Sequence, residues 1–332
     1  TFAYTPPSGT RLAVGTHTLS VTFTPTNSAY DSDTTTVSIS VTTKTLTVSG
    51  ITAANRVYDA SLSATLNTGS AAFVGVESGD TVTINAGSAT GAFATKTIGA
   101  AKTVQVSGVT KSGADAGNYT ITQPTTTADI TAKTLTVSGI TAANKTYNAS
   151  TTATLNTGSA AFVGVESGDT VTIGVGSATG AFADKTIGAG KTVQVSGVTK
   201  SGADAGNYTI TQPTTTATIT AKGLTVTGIT ATNRVYDATT DATALLDKTA
   251  AALSGVVAGD TVTMDHASAT ASFADKTIGA GKTVTIVGIT IGGADSGNYT
   301  LSQPSTTADI TAKTLTVSGI TAANKTYNAS TV

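Results

Sequence analysis

The stretch Ala114-Asp115-Ala116-Gly117-Asn118-Tyr119-Thr120 (ADAGNYT) recurs unchanged at 203–209 and as ADSGNYT at 294–300. Asp115, Gly117 and Tyr119 form a D-x-G-x-Y pattern, repeated as Asp204, Gly206, Tyr208 and as Asp295, Gly297, Tyr299. In Greek-key sandwiches such a pattern marks the corner where the chain enters a late core strand. The Tyr ring lies on the core there, and its hydroxyl bonds backbone upstream. Gly is expected to supply a backbone shape that other residues resist, and Asp to cap the turn through its own side chain. The pattern therefore predicts an all-β chain of tandem immunoglobulin-like sandwiches.

The flanking sequence repeats with it. Lys44-Thr45-Leu46 returns at Lys133 and Lys222, 89 residues apart each time, and at Lys313 after 91 more. The first two units differ at 10 of 89 aligned positions. The third carries two extra residues, best placed between Ala244 and Ala250, in a stretch that could form one or two helical turns. The expected domains are 44–132, 133–221 and 222–312. Residues 1–43 read as the end of another domain, and 313–332 as the first strands of a fourth repeat. Residues 313–331 copy 133–151 letter for letter, and the opening TFAYTPPSGT reads as mid-domain, so a longer array is expected.

Within a unit, alternation marks strands at KTLTVSGI (44–51), Ser63 to Leu66, DTVTI (80–84), TGAFA (90–94), KTVQVSGVT (102–110), NYTITQ (118–123) and TTADIT (126–131). About seven short strands between Gly, Asn, Asp and Pro turns is the sandwich signature. Phe73, Phe93, Val104, Val106, Tyr119, Ile121 and Ile130 are the candidate core. In 1–43, Leu19, Val21 and Phe23 alternate along one strand, and Val37, Ile39 and Val41 along another. Only Ala132 separates ADIT from KTLTV, so modules are expected to follow one another stiffly, each with its own core, as an extended head-to-tail rod.

Composition narrows the function. Charged residues are 11% of the chain, below half the usual share of about 25%. Net charge is −1, and polarity comes from hydroxyls, Thr above all. Such a surface has no basic field for nucleic acid or anionic lipid. Cys is absent, which removes disulfides and thiolate metal sites. No apolar run approaches the roughly 20 residues of a membrane helix, so no membrane insertion is expected of this segment.

Chemistry is sparse. His17 and His266 fall in different domains and at no repeated position, which leaves no catalytic set to assemble. Gly188-Ala189-Gly190 lacks a strand–loop–helix setting and reads as a hairpin. No cofactor is expected. Calcium is the one metal weighed, since it needs clustered carboxylates. Its candidates are Asp31 and Asp33, the only D-x-D, together with Asp80 and Asp115, which recur in each full unit. The bland alternative puts Asp80 in a turn and Asp115 at the corner. An internal Lys44–Asn118 isopeptide bond assisted by Glu77 is weakened by Val257, which stands where Glu77 and Glu166 stand.

Several stretches occur in one order three times: KTLTVSGITAANRVYDA, GDTVTI, ADKTIGAGKTV (183–193), SGADAGNYT and QPTTTADIT. They resemble the YDG-type repeats of large bacterial surface exoproteins of the filamentous-haemagglutinin kind. GTHTLSVTFTPTNSAYDSDTTTVSISV resembles the final strands of bacterial Ig-like repeats. One departure stands out. The naming motif here is Tyr58-Asp59-Ala60, Tyr147-Asn148-Ala149 or Tyr236-Asp237-Ala238, without its Gly, so its turn is expected to differ.

The resemblance implies a non-catalytic, adhesin-like chain outside the cell, surface-bound at a Gram-negative outer membrane or secreted. It implies that the repeats are the shaft and that their partners are neighbouring repeats, with lateral self-association or surface glycans as further ones. The alternative is that each unit binds a glycan directly. Exposed Tyr58, Tyr147 and Tyr236 along one side would favour that alternative.

Overall fold

The computed structural model describes residues 1–330. It is all-β, built of short strands with four single 3₁₀ turns among the described residues. The chain forms two compact units. One holds 1–138, 160–176 and 198–211; the other holds 139–159, 177–197 and 212 onward.

In the first unit, Phe2–Thr5, Gly15–Phe23 and Asp33–Val41 form an antiparallel sheet. Their register puts Phe2 opposite Phe23, Tyr4 opposite Val21 and Leu19 opposite Val37. Side chains alternate along a strand, so these apolar residues share one face. That face carries exposed Phe2, Tyr4, Phe23, Val37 and Ile39.

The first repeat makes two principal sheets. One has five strands in the order Arg56–Val57, Thr125–Thr131, Gly99–Ser107, Thr90–Phe93, Ser63–Ala64, the first pair parallel. The other has three, Tyr119–Ile121, Lys44–Ser49 and Ala72–Val74, with Tyr119–Ile121 parallel to Lys44–Ser49. Strands Arg56–Val57 and Ala72–Val74 are too short to show a period, and the alternation does not find them. The expected strand at 80–84 is only Thr83–Asn85. The amide and carbonyl of Thr81 are taken by Asp115, which removes that residue from any ladder. Phe73 and Ile121 are half-buried rather than core. Phe93, Val104, Val106, Tyr119 and Ile130 are buried as expected.

Two of the cores cross the boundary between sequence repeats. A small one lies inside the first repeat around Ile51, Ala86, Val106 and Val109. The larger one joins Tyr58, Phe93, Val104, Ala128 and Ile130 of that repeat to Leu135 and Tyr208 of the next. The five-stranded sheet of one repeat thus faces the strands Lys133–Ser138, Ala161–Val163 and Tyr208–Ile210 of the following one. The expectation of a private core for each repeat is corrected for the first two, while the third buries Phe273, Val284, Ile286 and Ile310 in a core drawn from its own residues. In the first repeat Val106 packs on Ile51, Ala86 and Val109 of the same repeat, while Val104 and Ile130 pack in the cluster that includes Leu135 and Tyr208.

The second unit repeats the arrangement. Its five-stranded sheet of Lys145–Thr146, Thr214–Thr220, Gly188–Ser196, Thr179–Phe182 and Thr152–Ala153 carries Tyr147, Phe182, Val193 and Ile219 into a core with Leu224 and Tyr299. In the third repeat the corresponding sheet has four strands. Its fifth place holds one bridge, Asp241 to Ser272, and the 3₁₀ turn Thr243–Leu245 beside the two extra residues.

Residues 313–330 are exposed and form no strand, although the same letters make Lys133–Ser138. That strand is held by Tyr208–Ile210 and Ala161–Val163. The expected first strands of a fourth repeat are not formed among the described residues, and 331–332 lie outside them.

Candidate functional site: a tyrosine–aspartate joint

The recurring polar site sits where one repeat meets the next. In the first unit, Tyr58 closes the short parallel pair, its amide bonding the Thr131 carbonyl. Its side chain crosses the larger core and donates to Oδ2 of Asp169 at 2.7 Å. The corner Tyr208 donates to the same oxygen at 2.7 Å, and Lys96 holds Oδ1 at 2.8 Å. Both Tyr rings are buried, with centroids 5.4 Å apart and planes at 77°. This edge-to-face arrangement is favourable for aromatic pairs. The Asp169 side chain is 0% exposed. A buried carboxylate is tolerable only when paired and hydrogen-bonded, and here three donors meet it.

Backbone groups complete the joint. The Tyr208 hydroxyl accepts the Glu166 amide at 2.9 Å, and the Asn207 side-chain oxygen accepts the Ile98 amide at 3.2 Å. The second unit has the same set. Tyr147 and Tyr299 donate to Oδ2 of Asp260 at 2.9 and 2.6 Å. Lys185 meets Oδ1 at 3.3 Å, and the Ile187 amide bonds Asn298 at 3.2 Å. Those rings lie 5.4 Å apart at 75°.

Residues 1–43 meet the first repeat in a similar way. Arg11 holds Asp80 at 2.8 Å and the Val14 amide bonds Asn118 at 2.9 Å. Tyr119 donates to Asp80 at 2.6 Å and accepts the Glu77 amide at 3.0 Å.

The electrostatics follow the geometry. Burial opposes ionisation of Asp169, yet the hydrogen bonds from Lys96, Tyr58 and Tyr208 outweigh it and leave its pKa below the usual carboxylate value. Burial and the neighbouring Asp169 push the Tyr208 hydroxyl up to about 12, against the opposing pull of the Glu166 amide. Burial likewise raises Tyr58, with Asp169 adding to it.

The sequence candidates fall into place unevenly. Asp115, Asp204 and Asp295 do not cap their own 3₁₀ turns. Each accepts the amide of a distant Thr, namely Thr81 at 2.8 Å, Thr170 at 2.9 Å and Thr261 at 2.9 Å. The corner Asp therefore ties two loops together.

Gly117, Gly206 and Gly297 have no left-handed φ, and a Cβ on each would meet nothing within 4 Å. The conformational demand falls instead on Gly113, at φ +116°, where a Cβ would stand 2.3 Å from the Thr81 carbonyl oxygen. At the naming motif Ala60, Ala149 and Ala238 take φ of 59°, 59° and 66°, the left-handed conformation that glycine favours.

Asp31 is exposed, and Asp33 accepts the Thr34 amide at 2.9 Å. The other calcium candidates, in their second and third copies, do converge on a cation. It is an ammonium: Lys96 lies 2.8 Å from Asp169 and 3.7 Å from Asp204, and Lys185 lies 3.3 and 3.6 Å from Asp260 and Asp295. Among the described residues no group of three or more His, Cys, Asp or Glu is placed to hold a metal ion.

Lys44 bonds Glu77 and Asn118 takes the Val14 amide, so each isopeptide candidate is engaged elsewhere. His17 bonds the Ala13 carbonyl at 2.6 Å. Tyr58 and Tyr147 are buried and Tyr236 is half-buried, so the exposed aromatic row that would mark glycan contact is not formed.

Sequence reasoning missed Lys96, Lys185 and the Tyr58 and Tyr147 hydroxyls. The available signal was the Lys-Thr-Ile triplet, present in every repeat.

A family profile described as the YDG domain matches residues 42–128, 131–217 and 220–308. No curated protein matches the chain. A solved structure described as a Ca2+-stabilized adhesin that helps an Antarctic bacterium reach out and bind ice is 18% identical. The match covers 89% of this chain and 82% of that one at a TM-score of 0.17. A score that low carries no argument about fold or function.

Proposed function

This chain belongs to the YDG-domain family, and on that premise we propose that it is shaft: non-catalytic repeats of a bacterial extracellular adhesin or surface filament. The repeats hold a distal functional region away from the cell. One observation carries the reading, which is that the larger core runs through the sequence-repeat boundary rather than stopping at it. A boundary filled by Leu135, Tyr58 and Tyr208 resists bending as a domain interior does, because bending it opens packed apolar surface. The polar groups of the joint bond one another, which suits a mechanical role.

Small-angle scattering on the whole chain tests this. A shaft of three modules, each about 35–45 Å along its strands, gives a maximum dimension above roughly 100 Å with the distance distribution of a rod. A compact, broad distribution, as from freely jointed beads, overturns the shaft. Saturable glycan binding with one site per repeat would put direct adhesion in its place.

A further inference from the structure

With no Cys, no Trp and one Met, this chain leaves a one-electron oxidant little to act on but its nine Tyr. Four of those nine form two ring pairs, Tyr58 with Tyr208 and Tyr147 with Tyr299, each with centroids 5.4 Å apart. In each pair both hydroxyls donate to one carboxylate oxygen, at 2.7 and 2.7 Å on Asp169 and at 2.9 and 2.6 Å on Asp260. Two hydroxyls on one oxygen stand no further apart than those two bonds laid end to end, which brings the ring carbons beside them close together. The interplanar angles of 77° and 75° turn the edge of one ring toward the other. Both carboxylates lie below the usual carboxylate pKa and are therefore ionised, ready to take a phenolic proton.

We propose that each pair is a site of oxidative cross-linking, at which a one-electron oxidant joins Tyr58 to Tyr208 and Tyr147 to Tyr299 as dityrosine. The oxidant removes one electron from each phenol, two per link. Electron transfer needs no contact with a buried ring. The phenolic proton does need an acceptor at bonding distance, and Asp169 or Asp260 supplies it and passes the proton on to solvent. The two phenoxyl radicals then form one carbon–carbon bond between positions ortho to their oxygens. The hydrogens on those carbons shift to the oxygens and restore two hydroxyls. Each link therefore costs the protein two hydrogen atoms.

The two links are staggered along the sequence, because residue 147 lies between 58 and 208. A single chain break anywhere between 58 and 299 is then spanned by at least one of them. Use as a covalent staple against breakage rests on the shaft reading. The links themselves depend only on the joint.

The test applies tris(bipyridyl)ruthenium and persulfate under visible light to the whole chain at low concentration. The monomer is then isolated, which sets aside links between molecules through the exposed Tyr4, Tyr30 and Tyr327. Expected are masses lower by two and by four hydrogens. Tryptic digestion should give peptide 57–96 joined to 201–222 and peptide 146–185 joined to 283–313. Folding holds the partners in place, so these links should exceed those formed in urea by at least about tenfold. Asp169→Asn, checked by circular dichroism, should reduce the first link and spare the second.

Absence of both joined peptides overturns the proposal. Equal yields in urea, or links made mainly between other tyrosines, do the same. An undiminished first link in a folded Asp169 variant removes the carboxylate's part. The comparison with urea uses the unaltered protein, so it stands even where that variant fails to fold. A compact scattering profile would end the use as a staple and leave the links in place, whereas missing links leave the shaft untouched.

Discussion

Replacing Tyr58 with Phe removes one oxygen and leaves the ring. That hydroxyl is buried and reaches the ionised Asp169 at 2.7 Å. Hydrogen bonds to charged groups contribute about 1.5–3 kcal/mol. Asp169 keeps Tyr208 and Lys96, so it is not left unpaired, and the loss belongs at the lower end, about 1.5–2 kcal/mol. For folding units of about 150–250 residues, 1 kcal/mol moves the midpoint by about 2–4 °C, so the melting temperature should fall by about 3–8 °C.

Scanning calorimetry measures the shift, and urea unfolding checks that the slope is unchanged. Tyr236→Phe is the internal control. Tyr236 occupies the same place in the third repeat but is half-buried, and its hydroxyl bonds nothing among the described residues. Its replacement should move stability by less than about 0.5 kcal/mol, as surface changes do. Equal shifts from the two variants would show that the Tyr–Asp contact adds nothing to the joint.

Other perturbations follow from the same geometry. Ala238 is exposed at φ +66°, where an L-residue costs about 1–2 kcal/mol, so Ala238→Gly should stabilise by about 0.5–1 kcal/mol after the added freedom of the unfolded chain is subtracted. Ala60→Gly should gain less by thermal melting, because the Ala60 methyl packs on the larger core. Four glycines inserted after Ala132 should cost about 1.5 kcal/mol of loop closure and leave the joint assembled, since packed sheets rather than the connector hold it. Scattering from that variant should match the parent, and a joint that swings free refutes the shared core.

The pH dependence has two windows. The depressed pKa of Asp169 contributes stability above the unfolded value of about 3.9 that is lost as pH falls through the folded value. Tyr208, raised to about 12, contributes stability that is complete below the unfolded value near 10 and is lost as pH rises toward 12. Melting temperatures from pH 2 to 12 should fall at both ends, and Tyr208→Phe should flatten the alkaline limb.

The strands with two or three alternating apolar residues, such as Gly99–Ser107 and Lys44–Ser49, were legible because period-two alternation requires a buried face. The corner was legible because its Tyr is the largest apolar residue in an otherwise small, polar stretch. The joint was not, and periodicity is the reason. Tyr58 bonds an Asp 111 residues away. Asp80 occupies in its own repeat the place that Asp169 occupies in the next, with Gly-Asp-Thr around both. A repeated sequence offers every group two or more equivalent partners, and local pattern cannot say which copy is used. Geometry decides: in the first two repeats the five-stranded sheet packs on strands of the following repeat, so its Tyr reaches forward. The corner Asp was misread for a related reason. Short-range capping is the ordinary use of Asp in a turn, whereas here the carboxylate is spent on Thr81, 34 residues upstream.

What is held constant across the three joints, and what drifts, follows from which atoms each position contributes. The carboxylate of Asp80, Asp169 or Asp260 and the hydroxyl of the corner Tyr bond through their side chains, and neither residue changes. The residue three before each Asp is Glu77, Glu166 or Val257. It meets the corner hydroxyl through its amide, at 3.0, 2.9 and 3.0 Å, so the side chain is free to change from acid to aliphatic. Glu77 and Glu166 each bond a Lys, and that pair is absent where Val257 stands, without displacing the corner. The cation is Arg11 in one joint and Lys in the others, since Oδ1 needs a positive donor rather than one geometry. Ile98, Ile187 and Val14 likewise lend an amide to the corner Asn. A joint that draws on backbone at some points and side chains at others can join unlike neighbours, and residues 1–43 dock on the first repeat by that means.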